Sequence, residues 1–302
     1  MSSIQHKIKE LFASQLSEWE LAKANYEGLA SVRTKVISFG NFDVRVQFNP
    51  ARMVSSGAKV DREAIAVRKC FLCAEHRPSE QKGVNAGAYV VLVNPFPIFP
   101  EHFTIARKSH IPQQIEPFFS DMLRFAKDMS DYVVFYNGPR CGASAPDHMH
   151  FQAGTKGFLP LVDDYFRLKA TRAELKADED TYRMYELKDY LRTVFCIESD
   201  SMSAANDAFI TLFHKLRGKE TEEPMMNVVC LYEEGVWYTF VLPRGNFRPW
   251  QYSAESGRQL LVSPATVEMC GVFITPVEEH FERITADDIK DILEQSTKKE
   301  SL

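Results

Sequence analysis

The chain has 302 residues, 45% hydrophobic and 25% charged, an ordinary globular composition with length for one large domain or two fused smaller ones. A formal net charge of −5 supplies no broad positive field, which argues against a protein that grips nucleic-acid backbone over many phosphates and leaves a small anionic ligand open. No stretch approaches about eighteen uninterrupted apolar residues, and the opening MSSIQHKIKELFASQL carries charges where a signal peptide needs an apolar core, so a soluble cytoplasmic protein without a membrane partner is expected.

Along the first half, Ile4, Ile8, Leu11, Phe12, Leu16, Trp19, Leu21 and Ala22 recur at helical spacing and predict an amphipathic helix within residues 1–30. The runs VRTKVISFG and DVRVQFNP, separated by Gly40-Asn41-Phe42, read as a hairpin, followed by the polar loop ARMVSSGAKVD. After a Cys70-x-x-Cys73 turn, AYVVLVN (88–94) and HFTIA (102–106) are strand candidates around a proline-rich turn, and Pro117–Asp131 reads as a helix with proline in its first turn. A strand at Tyr132–Tyr136 leads through a Gly/Ser-rich loop into a strand at His148–Gln152.

The second half begins with the charged run RAELKADEDTYR, expected as a solvated helix. A helix at Asn206–Leu216, strands at Met226–Tyr232 and Val236–Leu242, a polar loop from Pro243 to Pro249, a strand-like Gly271–Thr275 and a final helix from Ala286 follow. No sequence repeat links the halves. The pattern is α+β, with the division set at 1–165 and 166–302.

In a strand, His148, His150 and Gln152 project to one face while Met149 and Phe151 turn into a core. With eight histidines the spacing alone is weak, and context has to carry it. The preceding loop supplies that context: Asn137, Gly138, Gly142, Ala143 and Ser144 let backbone N–H groups approach a phosphate, and Arg140 adds a bidentate cation. Neutral imidazole attacks phosphorus competently, which makes His150 the candidate nucleophile and the Gln152 amide a donor to a phosphate oxygen. The competing reading is a pair of buried, inert strand histidines. Arg52, Lys59, Arg107, Lys108, Arg244 and Arg248 are further candidate phosphate or sugar contacts, with Arg52 and Lys59 ranked first because they share a loop with Asn49. Asn94 is added as a nucleotide contact.

Six cysteines in a chain this long do not form a small disulfide framework, and Cys70 and Cys73 are the close pair. As a zinc site the pair needs two more ligands from His76, His102, His110 and His148. His110 and His148 are favoured, because a closed tetrahedral site there clamps the catalytic strand to the loop before the 117–131 helix. Two unligated thiols are the competing reading; a redox pair is disfavoured, since no thioredoxin-like pattern surrounds it and Phe71-Leu72 brings no charge to lower a thiol pKa.

The segment FYNGPRCGASAPDHMHFQ resembles the active-site segment of the histidine-triad superfamily, specifically its transferase branch, in which glutamine replaces the third histidine. NPFPIFPEHFTIARKSHIPQQ and LLVSPATVEMCGVFITPVEEHFE resemble flanking parts of the phosphorylases in that branch, so the likeness covers most of residues 40–285. The resemblance implies a galactose-1-phosphate uridylyltransferase-like two-half architecture of antiparallel sheets with flanking helices, the second half degenerate. It implies that His150 becomes nucleotidylated, that Gln152 is the transferase-type glutamine, and that Asn137, Gly142 and Ser144, the last grouped with the catalytic residues, surround the phosphates. Cys70, Cys73, His110 and His148 match the zinc ligands of some members, and zinc held by four protein ligands is structural. The implied function is a ping-pong nucleotidyltransferase or phosphorylase acting on a nucleoside-diphosphate sugar or a dinucleoside polyphosphate, with phosphate or a sugar phosphate as acceptor. Magnesium accompanying the nucleotide and a homodimer are compatible with it. A hydrolase of the same fold and a catalytically silent nucleotide-binding protein are the rivals. Asp147 departs from the usual uncharged residue and either orients His148 or repels substrate.

Overall fold

The computed structural model describes residues 2–53, 62–255 and 257–299. In chain order the elements are α1 (Ser3–Glu18), α2 (Glu20–Gly28), β1 (Arg33–Ser38), β2 (Asp43–Phe48), α3 (Arg62–Val67), β3 (Gly83–Ala86), β4 (Tyr89–Val93), β5 (His102–Arg107), α4 (Phe119–Asp128), β6 (Tyr132–Asn137) and β7 (His150–Thr155). There follow α5 (Pro160–Arg172), β8 (Ala173–Glu179), β9 (Tyr182–Leu187), β10 (Phe195–Ser199), α6 (Met202–Arg217), β11 (Met226–Glu233), β12 (Val236–Pro243), α7 (Thr266–Met269), β13 (Val272–Thr275), α8 (Glu278–Arg283) and α9 (Ala286–Ser296). Among the described residues, no helix is long and apolar enough to cross a membrane.

The continuous apolar runs of β4 and β6 are buried on both faces, which requires layers on either side of one sheet. That sheet has ten strands in the order β3-β4-β5-β7-β6-β11-β12-β10-β9-β8. One face packs on α1, α4 and α6 through side chains such as Leu11, Phe119, Phe125 and Phe209. The other packs on α5, α9 and the small sheet β1-β2-β13 through Val46, Tyr165, Phe273 and Ile292. The fold class is therefore α+β, antiparallel sheet with flanking helices.

A repeat invisible in the sequence stands out in the topology. Strands β3, β4 and β5, helix α4, then β6 and β7 assemble in the order 3-4-5-7-6; β8, β9 and β10, helix α6, then β11 and β12 assemble as 8-9-10-12-11. The two units meet where β6 pairs antiparallel with β11, from Asn137 opposite Asn227 to Val134 opposite Cys230. A boundary at 165/166 falls inside α5.

Two expectations are corrected. The run RAELKADEDTYR is a hairpin, β8 with β9, rather than a solvated helix. Its charges pair on and across the two strands, with Lys176 3.0 Å from both Glu174 and Glu186 and Arg183 2.8 Å from Asp178, and the strand state is secured by β9 pairing with buried β10. The initial helix is also interrupted, at Trp19, whose extended backbone (φ −119°, ψ 98°) lets its ring turn into the interior.

Gly154 on β7 lies against Phe99, and a Cβ there would meet three atoms of that buried ring at 2.3–2.6 Å. Gly154→Ala is expected to cost about 1–3 kcal/mol by overpacking. Gly28→Ala, exposed at the end of α2 with nothing within 4 Å, is expected to gain up to about 1 kcal/mol. Urea unfolding midpoints of the two variants should move in opposite directions.

Candidate active site

β7 begins at His150, not at His148, so strand alternation puts only His150 and Gln152 on one face; Met149 and Phe151 are fully buried in the core, as expected. His148 instead turns out of the strand line toward the Cys70 turn. Gln113, from the loop before α4, anchors the start of β7: its Oε1 accepts from the His150 amide at 2.8 Å and its Nε2 donates to the carbonyls of His150 and Asn137. Sequence reading missed Gln113, whose type carries no signature outside this contact.

The His150 ring is oriented by one hydrogen bond. Nδ1 lies 2.8 Å from the His148 carbonyl, which can only accept, so the proton sits on Nδ1 and the lone pair on Nε2. Burial pushes the imidazole down to about 4, which keeps it neutral and nucleophilic near pH 7. Gln152 is fixed similarly. The Ile98 amide donates to His102 Nδ1 at 3.2 Å, so His102 Nε2–H donates to Gln152 Oε1 at 2.9 Å. The Gln152 amide nitrogen is left without a partner among the described residues and borders the cavity. His102, weighed above as a metal ligand, is thus a buried neutral ring, pushed down to about 3 by burial and by the Arg52 charge.

His150 and Gln152 open onto a cavity of about 610 Å³, also lined by Asn137, Gly142, Ala143 and Ser144 from the loop and by Arg52 and Asn94. Lys59 lies outside the described residues. The cavity adds residues that sequence reading did not assign to the site: Arg68, Glu268, Ser263 and the apolar Phe96, Phe135 and Phe247. Arg248, one of the lower-ranked cations, lines it as well. Arg52 donates to the Phe96 carbonyl at 2.8 Å, while its Nε and Arg68 Nη1 have no partner among the described residues, donor capacity that suits an anion. Burial pushes the Glu268 carboxyl up from its ordinary range. A second cavity of about 620 Å³, between the first two helices and Phe158, is lined among the described residues by no histidine, cysteine or arginine.

Three expected contacts do not reach the cavity. Arg140 faces outward, paired with Glu222 at 3.0 Å and donating to the Glu223 carbonyl, so local carboxylates already satisfy its charge. Gly138 has its N–H on the Met226 carbonyl, and a Cβ would sit 2.8 Å from that oxygen; its glycine serves a close approach of two strands. Asn49 is buried and opens the turn that carries Arg52, outside the cavity lining. Gly142, by contrast, needs its positive φ of 99° and sits where a Cβ would lie 2.4 Å from that of Ala265.

Behind the site, Cys70, Cys73, His110 and His148 bring one ligand atom each within 4.8 Å of one another. Cys70 Sγ is 3.3 Å from His148 Nδ1 and Cys73 Sγ 3.1 Å from His110 Nδ1, near the roughly 3.5 Å spacing that tetrahedral zinc bonds of about 2.3 and 2.0 Å imply. The outer nitrogens fit too: His148 Nε2–H donates to the Arg107 carbonyl at 2.7 Å, which turns its Nδ1 lone pair inward, and His110 Nε2 faces Asp147 at 3.7 Å. The residues present can hold a metal ion such as zinc. Asp147, paired also with Arg68, faces this cluster's rim rather than His148 directly. His76 instead bonds the Cys70 carbonyl.

The family described as a domain of unknown function (DUF4922) matches residues 11–155, and that described as GDPGP1-like, C-terminal domain, matches residues 166–301. In its fold and in the Asn137–Gln152 segment the chain is similar to the transferase branch of the histidine-triad superfamily. More particularly, it is similar to diadenosine 5',5'''-P1,P4-tetraphosphate phosphorylase 2 of Saccharomyces cerevisiae, 25% identical over 231 residues, a match spanning 67% of this chain and 66%, just under two thirds, of the yeast protein. Its fold is similar to that of yeast Ap4A phosphorylase Apa2 (TM-score 0.58, 17% identity, 92% of this chain and 94% of that chain), and likewise to the same enzyme in complex with Ap4A (TM-score 0.58, 16% identity, 92% and 96%).

Metal analysis of the purified protein is expected to return about one zinc per chain, and Cys73→Ser to lose it with a lowered Tm. A metal-free wild type with an unchanged Tm after chelation would leave the four ligands as an unmetallated cluster.

Proposed function

We propose that this chain transfers a nucleotidyl group from a dinucleoside polyphosphate or a nucleoside-diphosphate sugar to phosphate or a sugar phosphate, through a covalent intermediate on His150. The observation that carries the reading is the Nδ1–H bond to the His148 carbonyl, which leaves Nε2 with its lone pair at a cavity bordered by Arg52, Arg68 and Arg248. The yeast relative's name, a phosphorylase of diadenosine tetraphosphate, supports phosphate as the acceptor.

In the first step Nε2 attacks the phosphorus of the nucleotidyl group, the N–P bond forms and the bond to the leaving phosphate oxygen breaks. The ring becomes an imidazolium whose Nδ1–H stays on the His148 carbonyl. The free amide N–H2 groups of Gln152 and Asn137 donate to the non-bridging oxygens as charge grows there, and the guanidinium groups neutralise the departing phosphate. In the second step the acceptor phosphate attacks, the N–P bond breaks, and the neutral ring returns. Two in-line displacements give net retention at phosphorus. The cluster of Cys70, Cys73, His110 and His148 would hold zinc as a clamp on the segment that supplies the His148 carbonyl, with no part in either displacement. Under this reading residues 1–165 carry the site, and 166–302 are a degenerate copy: β12, which takes the place of β7 in the repeated strand order, carries no histidine.

Intact mass after mixing with a panel of dinucleoside polyphosphates and nucleoside-diphosphate sugars, quenched at alkaline pH, should show one added nucleotidyl mass on the wild type and none on His150→Ala. Gln152→Ala should slow labelling by about 10²–10³-fold. A mass increase on His150→Ala, or turnover by wild type with no adduct at any time, would sink the covalent mechanism.

A further inference from the structure

Arg244 is buried at 1% exposure on the far side of the sheet junction, and no carboxylate pairs with it among the described residues. A guanidinium in such a place is tolerated only if its donors are used. Its Nε donates to the Ser296 carbonyl at 2.8 Å, Nη2 reaches the carbonyls of Asn246 at 3.2 Å and Phe247 at 3.4 Å, and Nη1 donates to Asn227 Oδ1 at 2.6 Å. Asn227 thereby presents its amide nitrogen the other way, to the Cys141 carbonyl at 2.9 Å and to Asn137 Oδ1 at 3.1 Å.

Neither amide can be turned around. The Cys141 carbonyl only accepts, so Asn227 must place nitrogen there; the Thr266 backbone N–H only donates, at 2.9 Å, so Asn137 must place oxygen there. The Thr266 hydroxyl lies 2.7 Å from Asn137 Oδ1 and 2.9 Å from the Tyr136 carbonyl, and its one proton serves these two acceptors. With its oxygen held by the Asn227 amide and the Thr266 backbone N–H, the remaining Asn137 N–H2 has no partner among the described residues and borders the cavity lined by His150. Asn137 and Asn227 are the facing residues at which β6 of the first repeat meets β11 of the second.

We infer that Arg244 and Asn227 are positioning residues: the second half of the chain aims the Asn137 amide at the transferred phosphate through the chain Arg244, Asn227, Asn137. The inference rests on the nucleotidyl-transfer reading above and gives the second half, whose β12 carries no histidine, a part in the first half's site.

The test is a double-mutant cycle on the full chain, reading the rate of covalent labelling by intact mass with diadenosine tetraphosphate and the same nucleoside-diphosphate sugar panel. Asn227→Asp still accepts from Arg244 but faces Asn137 Oδ1 and the Cys141 carbonyl with oxygen. It should slow labelling by about tenfold to a hundredfold in the wild-type background and by less than about threefold in the Asn137→Ala background. A merely structural role predicts the same factor in both backgrounds, and that result overturns the inference, as does an unchanged rate in Asn227→Asp alone. If Asn227→Asp does not fold by thermal melt, Asn227→Ala, which removes the side-chain amide that donates to Asn137 Oδ1, carries the same cycle. Wild type that no donor labels, while still turning over, refutes the covalent reading itself, and the positioning inference falls with it.

Discussion

The His148 carbonyl is the constraint on which the site depends. A carbonyl 2.8 Å from Nδ1 of His150 decides where the ring proton sits, and so which nitrogen is free to attack. That carbonyl is itself held in place, because the His148 side chain bonds the Arg107 carbonyl on one nitrogen and meets the Cys70 and Cys73 thiols with the other. Adjacent backbone contacts close the arrangement: the Met149 N–H donates to the Ile111 carbonyl at 2.7 Å, and the Met149 carbonyl accepts from the Arg107 N–H at 2.9 Å. Two residues of one short segment thus divide the labour, His148 as an anchor and His150 as the reactive ring.

The large sheet sets these groups in a rigid frame. Both faces are covered, so the strands that carry His150, Gln152 and Asn137 cannot shift without disturbing two cores. Burial has a chemical result as well as a mechanical one, since it keeps His150 and His102 neutral. His102 and Asn227 then do parallel work from opposite sides, each holding the oxygen of a site amide and leaving its nitrogen toward the cavity.

Much of this was legible in the sequence wherever a local rule applies. Short, largely apolar runs located β4 through β7, β11 and β12 because those strands are packed on both sides, and the Gly40-Asn41 turn marked the first hairpin. The His150-x-Gln152 spacing, the Gly/Ser loop and the Cys70-x-x-Cys73 pair needed only chain-local geometry, and the structure brings them together. What stayed hidden depends on partners far along the chain. Arg140 and Arg52 look alike as loop cations, yet Glu222 draws one outward and the Phe96 carbonyl holds the other at the cavity. Glu268, Arg68 and Gln113 arrive from segments whose own patterns say nothing of a site. The charges of Glu174, Lys176, Asp178 and Arg183 spell a solvated helix until β10 offers an edge to pair with. His148 was expected on the strand because residues two apart share a face only once the strand has begun, and it begins two residues later.

The most direct measurement of the central claim is ¹⁵N NMR of the protein labelled at histidine, with the His150 signals assigned by their loss in His150→Asn. The account predicts a neutral ring at pH 7 that is protonated on Nδ1 and bare on Nε2, and stays so as the pH is lowered past 6, where ordinary histidines charge. A His150 ring protonated on Nε2 at pH 7, or already an imidazolium there, would contradict it.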